Sequence, residues 1–556
     1  MAIPRSPGDP AAAQSIQTAR GSLNVATIVA VGFAVCLAQI GLAIPATLNG
    51  TFQTVLHPTG SSQLDWISDC TLLPIAALEL TFGVLGDLFG RKRLLVVGAL
   101  LLMVGELVSG TSSGVAQMYV GQIIAGLGSA TLFPTTLAII ASGSRTHAQR
   151  ARMIALWAAL LSTGNLISPV LGGLTATYGI WRWAFFIIMI LAALDAAFSW
   201  YFAADSRSPE GRSLDLPGQF AIGLALFALL YAVIEGPTAG WGSGIIIAFF
   251  IAAAVLLVAF VLIELRVPNP LLRMDLFRSR AFALACAVTV VGMFSFLGTA
   301  YAISIRMEVI QHLTALRTAF AFLLLSGLAI FLLPLTSFMM ARLQPRWVLG
   351  TGFLLMGVGQ LLAANLPITD TGLPSLILPM GLVGIGFAFA VSSVTATVVN
   401  TVPHRLSGMA AATTSMVRDF GFAMGPALIG AVALSKAGSS FASSLAADPS
   451  MASVQGAANA VGPVVVNSVP NAPFSKAAPL AVTALHHGYA IGFAICGIAA
   501  LVCCLVTVTL LGGRHELDEE IAMIEDEPDA GAAAVPAQGM ASRSGSAESA
   551  PAGGGA

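Results

Sequence analysis

Charge is what this sequence has least of. Only 9% of its 556 residues are Asp, Glu, Lys or Arg, against 57% hydrophobic, whereas a soluble domain carries about 25% charged residues. Most of the chain therefore cannot face water, and its length does not argue for three or four soluble domains. The net charge of −1 offers no basic surface for nucleic acid. Cysteine is sparse as well. Cys36, Cys70, Cys286, Cys496, Cys503 and Cys504 all lie inside apolar runs, which argues against a disulfide framework or a metal site. No Gly-x4-Gly-Lys-Ser/Thr loop is present to hold a nucleotide, and no nucleophile–base pair stands out. Neither an enzyme nor a nucleotide-driven machine is expected, and no cofactor.

What is abundant is long apolar runs. A membrane-spanning helix needs about 20 mostly apolar residues. Fourteen stretches qualify: 24–48, 67–86, 94–112, 117–140, 151–175, 183–203, 215–236, 243–265, 281–304, 318–340, 347–366, 374–399, 407–434 and 487–512. The expected fold class is all-α: a polytopic membrane protein of fourteen transmembrane helices. The run that follows the polar residues 1–22 is too long for a signal peptide and reads as an anchor.

One loop breaks the apolar pattern. Residues 83–95 place Asp87, Arg91, Lys92 and Arg93 between two spans, as expected at a membrane surface. If that surface is cytoplasmic, fourteen helices put both termini there too, together with 19 of the 25 Lys and Arg residues. That imbalance fits the positive-inside rule. The segment 435–486, rich in Ala, Ser, Val, Pro and Asn, is then a long outer loop, expected to be partly ordered. The tail from residue 514 begins acidic and continues in Ala, Gly and Ser; it reads as disordered, with a short amphipathic stretch around 516–525.

The chain also repeats itself. Arg342, Arg346, Val348, Leu349 and Gly352 align with Leu88, Lys92, Leu94, Leu95 and Gly98 at an offset of 254. Gly126-Leu-Gly128 matches Gly384-Ile-Gly386 at 258, and Gly164 with Ser168-Pro169 matches Gly421 with Gly425-Pro426 at 257. Three matches in order at one spacing indicate two six-helix halves, at 23–203 and 281–513. The segment 204–280 contributes two inserted helices between them. Parallel repeats of this kind place a binding site at their interface near the midplane.

Taken together, these residues resemble the major facilitator superfamily, in its fourteen-helix branch of drug:proton antiporters. Gly83-x-Leu85-Gly86-Asp87-x-x-Gly90-Arg91-Lys92-x-x-Leu95 is similar to the superfamily's loop signature, and Gly164-x3-Ser168-Pro169-x2-Gly172-Gly173 to that of its export-type members. Trp66 and the stretch from Trp181 to Phe186 also look like this branch. The sequence departs from the pattern where Cys36 stands in place of a frequent acid and Gln122 in place of an arginine. The resemblance implies a monomeric plasma-membrane exporter of small amphipathic or drug-like compounds, working by alternating access and proton antiport. An uncoupled exporter or uniporter of one metabolite or lipid is the alternative, and a non-transporting receptor or scaffold a remote one.

Candidate residues follow. For Gly83, Gly86, Asp87, Gly90, Arg91 and Lys92 the resemblance implies a conformational latch between the halves; the alternative is an ordinary topology-setting cluster. Asp87, at the C-terminal end of its helix, faces an unfavourable macrodipole and needs a basic partner or another helix's N-terminus. Gly164, Ser168, Pro169, Gly172 and Gly173 offer close packing and a bend, hence a hinge at the interface. Asp69, Glu79, Glu106, Asp195, Arg418 and Asp419 are ionisable groups within spans, which are costly and default to a functional reading. Removing a carboxylate from water favours its neutral form, as a proton carrier requires; a structural hydrogen-bonded acid is the alternative. Arg418 and Asp419 are adjacent on one helix, so each is expected to find its partner elsewhere. For Gln39, Gln122 and Asn165, on the first, fourth and fifth helices, the resemblance implies a substrate cavity; interhelical hydrogen bonding is the alternative.

Overall fold

The computed structural model describes residues 24–58, 62–144, 147–206, 214–267, 270–399, 407–468 and 474–511. The expected polar N-terminus and C-terminal tail, with its amphipathic stretch, lie outside the described residues. Among the described residues, fourteen helices are long and apolar enough to cross a membrane, one at each apolar run. They are α1 (Val25–Ala43), α2 (Ser62–Phe89), α3 (Arg91–Gly110), α4 (Val115–Gly143), α5 (His147–Thr177), α6 (Arg182–Phe202) and α7 (Leu216–Ala239). Next come α8 (Gly244–Glu264), α9 (Arg280–Ser304, prolonged by a π turn, Ile305–Ile310) and α10 (Ala315–Phe322 and Leu328–Arg342, joined by a π turn, Leu323–Gly327). The last four are α11 (Pro345–Ala364), α12 (Leu373–Val399), α13 (Ser407–Ala447) and α14 (Ala478–Leu510).

Two boundaries differ from expectation in ways that matter. Helix α2 begins at Ser62, five residues before the apolar run, because its polar first turn packs on other helices and does not meet lipid. The segment 435–486 is not a partly ordered loop where it is described. Helix α13 runs on to Ala447, two short helical stretches joined by a kink at Gly462 (φ 79°) span Gln455–Ser468, and these share a small core of Phe441, Leu445, Met451, Ala458 and Val466 with the start of α14. Alanine is the best helix former, so an Ala-rich stretch needs only one apolar face to pack, well short of a membrane-length run.

The internal repeat is visible as duplicated contacts. Helix α3 packs on α4 as α11 packs on α12; α3 on α6 as α11 on α14; α1 on α5 as α9 on α13; and α2 on α4 as α10 on α12. Glycines make each contact close. A Cβ at Gly126 would lie 2.5 Å from the Thr71 carbonyl of α2, and Gly384 meets the Leu324 carbonyl of α10 in the same manner. Gly128 rests on Gly98 and Leu102 of α3, Gly386 on Gly352 and Met356 of α11. Gly164 faces the backbone of α1 at Cys36, and Gly421 that of α9 at Val290. Each glycine match found in the sequence is thus one backbone contact built twice.

The halves meet along two seams, α2 with α13 and α5 with α10, which the pseudo-symmetry exchanges. The inserted helix α7 packs on both α2 and α13, with α8 against its other side. One seam is therefore covered by protein. Helix α8, mean hydropathy 3.3, is the most apolar of the fourteen and largely exposed, as a lipid-facing helix should be.

Candidate functional site

The two faces of the bundle are called here the loop side, which carries residues 83–95, and the far side. On the far side the halves are tied together. Ser304 of α9 donates to the Ala46 carbonyl at 2.6 Å and accepts from Asn49 Nδ2 at 3.0 Å. The amide of Gly50 donates to Glu308 Oε2 at 2.7 Å, and Gln53 donates to Ser468 Oγ at 2.9 Å. The short helix Asn49–Val55 that follows α1 is thus seated on the second half. Gly173 adds a close approach, since a Cβ there would lie 2.8 Å from the Ala315 carbonyl of α10.

Toward the loop side the α5–α10 seam parts. Gly164, Ser168, Pro169, Gly172 and Gly173 are buried, yet none of the described α5 side chains between 152 and 163 is. Beyond Ala329, α10 keeps only Thr336 buried among its described residues. The helix-5 glycine motif therefore marks the level at which contact gives way to opening. Gln39 donates to Asn165 Oδ1 at 2.8 Å at that level, and Asn165 is partly exposed. Gln122 is placed differently. Fully buried, it accepts from Thr71 at 2.5 Å and donates to Ser109 at 2.9 Å, joining α2, α3 and α4.

At mid-depth one cluster crosses the α2–α13 seam. Arg418 of α13 lies 3.9 Å from Glu79 Oε2 of α2 and donates to both oxygens of Asp419, at 2.8 and 3.2 Å. Glu79 is ten residues from the loop-side end of α2, about 15 Å along the axis. The carboxyl groups of Glu79 and Asp419 also interact with each other. Pairing of the adjacent Arg418 and Asp419 corrects the expectation from helical spacing. That expectation concerns Cβ directions, whereas a guanidinium on a long, flexible stem can turn back to its neighbour. A partner on another helix, Glu79, is present as well.

The other intramembrane acids do not join this cluster. Asp69 of α2, Glu106 of α3 and Asp195 of α6 are fully buried, with no hydrogen-bond partner at any carboxylate oxygen among the described residues. Glu106 reaches α1 at Gly41, where a Cβ would lie 2.5 Å from its Oε1. These three acids thus lie on three different helices.

In the 83–95 loop, Asp87 accepts from Arg91 Nη2 at 2.7 Å and Nε at 3.0 Å, which supplies the basic partner its helix end calls for. Arg91 also reaches the Ala138 carbonyl at 3.3 Å, and its amide donates to the Ser206 carbonyl at 3.0 Å. Gly86 gives the guanidinium stem room, and Gly83 packs near Pro134. Gly90 turns the chain between α2 and α3 at φ 107°, ψ 124°. That conformation is essentially closed to residues with a side chain, so Gly90→Ala should lower stability by about 1–3 kcal/mol. A thermal unfolding midpoint equal to wild type would contradict this. Lys92 and Arg93 line a surface cleft with Trp200 and Asp205.

Three polar groups escaped the sequence reading. Asp65 lies one turn before Asp69 and is fully buried, Glu308 lies in the π turn of α9, and Glu235 of α7 accepts from the Trp66 indole at 2.8 Å. Asp65 and Asp69 share an i, i+4 spacing, the one signal that could have paired them.

The sequence family described as Major Facilitator Superfamily matches residues 27–426. The chain belongs to that superfamily. It is a multi-pass membrane transporter of small molecules, not an enzyme. Among curated relatives it is 29% identical, over 67% of its length and 69% of the relative's, to the multidrug resistance protein Stp of Mycobacterium tuberculosis. It is 25% identical, over 89% and 92%, to the tetracenomycin C resistance and export protein of Streptomyces glaucescens. The methylenomycin A resistance protein of Bacillus subtilis is 26% identical over 75% and 89%. Solved structures of a peptide transporter, POT, share the fold, with a TM-score of 0.61 at 14% identity over 91% of this chain and 99% of that one. A bacterial homologue of the lysosomal transporter Spinster does so at 0.57 and 14%, over 87% and 97%.

Proposed function

We propose that this transporter exports small amphipathic or drug-like compounds by alternating access, driven by inward movement of protons. The observation that carries the reading is the Glu79–Arg418–Asp419 cluster, which bridges the halves at mid-depth on a seam that must rearrange when they rock. One arginine balances one carboxylate, so the second acid completes a neutral cluster only when it holds a proton. A cluster that gains or loses one proton as its seam opens is the minimum a proton-coupled cycle needs. The names of the relatives, which are those of drug resistance and export proteins, support the substrate class. The tied far side and parted loop side give the form that loads substrate from the loop side, and the distribution of Lys and Arg supports a cytoplasmic loop side and cytoplasmic termini. The protein works as a monomer and needs no bound cofactor.

The test is uptake of a cationic dye by proteoliposomes under an imposed pH gradient. Accumulation should collapse with a protonophore and in Glu79→Gln, while dye exchange without a gradient persists. Accumulation that ignores the gradient would overturn proton coupling. In this cycle Asp87 and Arg91 act as the latch when the loop side closes. Asp87→Asn should therefore cut transport at least tenfold, and because the Asp87–Arg91 pair is buried its loss should also cost about 3 kcal/mol of stability. The double variant Asp87→Asn, Arg91→Gln, which removes both charges, should recover most of the unfolding midpoint but not transport; recovery of both would reduce the loop to a structural role.

A further inference from the structure

On the far side, one carboxyl group of the first half is inserted into the second. Asp65, in the first turn of α2, accepts a hydrogen bond from the Tyr301 hydroxyl of α9. Its two oxygens lie where a Cβ on Gly430 of α13 would be only 2.7 Å away, so the carboxyl rests directly on that helix's backbone. Tyr489 of α14 stands beside Tyr301, with ring centroids 6.4 Å apart. Three helices of the second half therefore form a socket around a single side chain of the first. Asp65 is fully buried, and its Oδ2 has no hydrogen-bond partner among the described residues.

The groups around Asp65 decide what its charge does. Asp69 faces it from one turn along α2, Glu235 from α7, Tyr119 from α4, Tyr301 from α9 and Tyr489 from α14. Two are acids and three are phenols, and none brings a positive charge. A carboxylate removed from water needs a cation or several donors to stay there; among the described residues this socket supplies one donated hydrogen bond, and the N-terminal dipole of α2 offsets only a small part of the remaining cost. The neutral acid fits without such help, and its own hydroxyl can donate.

We propose that Asp65 is the proton-controlled bolt of the far-side gate: neutral, it stays in the Tyr301–Gly430–Tyr489 socket and holds the halves together; ionised, it leaves for water and the far side opens. Asp65 is a positioning residue, acting on the gate and not on the substrate. The inference rests on the reading of this chain as an alternating-access transporter, but its test needs no substrate. Protonation at the far side then closes that side behind the proton, separately from the mid-depth cluster.

The experiment measures the far-side distance between bio-orthogonal spin labels at exposed Thr111 and Thr483, on the full chain in lipid nanodiscs. Wild type should show one short distance at pH 5 and a growing long-distance population up to pH 9. Asp65→Asn, which keeps the fit and cannot ionise, should stay short throughout. Gly430→Ala, which fills the socket, should give the long distance even at pH 5. A wild type without pH response would overturn the proposal, as would Asp65→Asn with the wild-type pH response or Gly430→Ala still closed at pH 5. Dye transport measured on the same proteins reports the transport reading independently: a chain that moves no dye yet opens with pH keeps the gate and loses the substrate assignment.

Discussion

Arg418→Met alone should destabilise the protein by roughly 3–5 kcal/mol, the cost of leaving buried charge uncompensated when one partner is removed. The lower end is expected, because the Arg418 side chain keeps 22% of its surface exposed while Glu79 and Asp419 keep 7% and 6%. The informative comparison is the triple variant Glu79→Gln, Arg418→Met, Asp419→Asn. Replacing a whole buried ionic group by neutral residues of similar volume is often nearly neutral for stability, so the triple variant should recover most of the lost unfolding midpoint. It should not recover gradient-driven transport. Stability and transport returning together would show that the cluster only holds α2 to α13. If neither returned, the side chains would matter to packing more than to charge.

The second large effect concerns glycine. Gly126→Val and Gly384→Val each direct a branched side chain at a backbone carbonyl of the neighbouring helix. A carbonyl within a helix cannot step aside as a side-chain tip can. Overpacking usually costs about 1–3 kcal/mol and sometimes more, and these two sites belong at the upper end. Gly381, one turn before Gly384 on the same helix, has nothing within 4 Å of a built Cβ. Gly381→Val should leave the unfolding midpoint unchanged, whereas Gly384→Val and Gly126→Val should lower it by similar amounts. Unequal losses at the two equivalent positions would mean that one half carries the assembly. A loss at Gly381 would point to helix propensity as the cause, not contact.

These glycines also show what the sequence could and could not reveal. Their spacing was legible because one packing solution is used twice, so its traces recur at a nearly fixed offset. The fourteen spans were legible because each must be apolar along a membrane's thickness, whatever it packs against. Asp65 was not, since its meaning lies in Tyr301, Gly430 and Tyr489, three residues on three other helices more than 200 positions away. It also sits in a polar first turn that a search for apolar runs trims away. Glu308 was missed because α9 continues past its apolar run through a π turn. Arg418 was recognised as needing a partner, and an acid on another helix does face it; its bond to Asp419 was not foreseen, because side-chain flexibility is invisible to a rule about helical faces. The packed helices of 435–468 were hidden by composition, since small residues serve equally well in a loop and in a tight helix pair.

The inserted helices α7 and α8 have a mechanical consequence. They lie over the α2–α13 seam, whereas among the described residues the pseudo-symmetric counterpart, α5–α10, has no such pair of helices packed over it. In the proposed alternating-access cycle, rocking of the halves would shear the first seam against protein of fixed shape and the second against the surrounding lipid. Bilayer thickness and fluidity would then act on that cycle through one flank of the molecule. Two seams alike in sequence logic thus work in two different solvents.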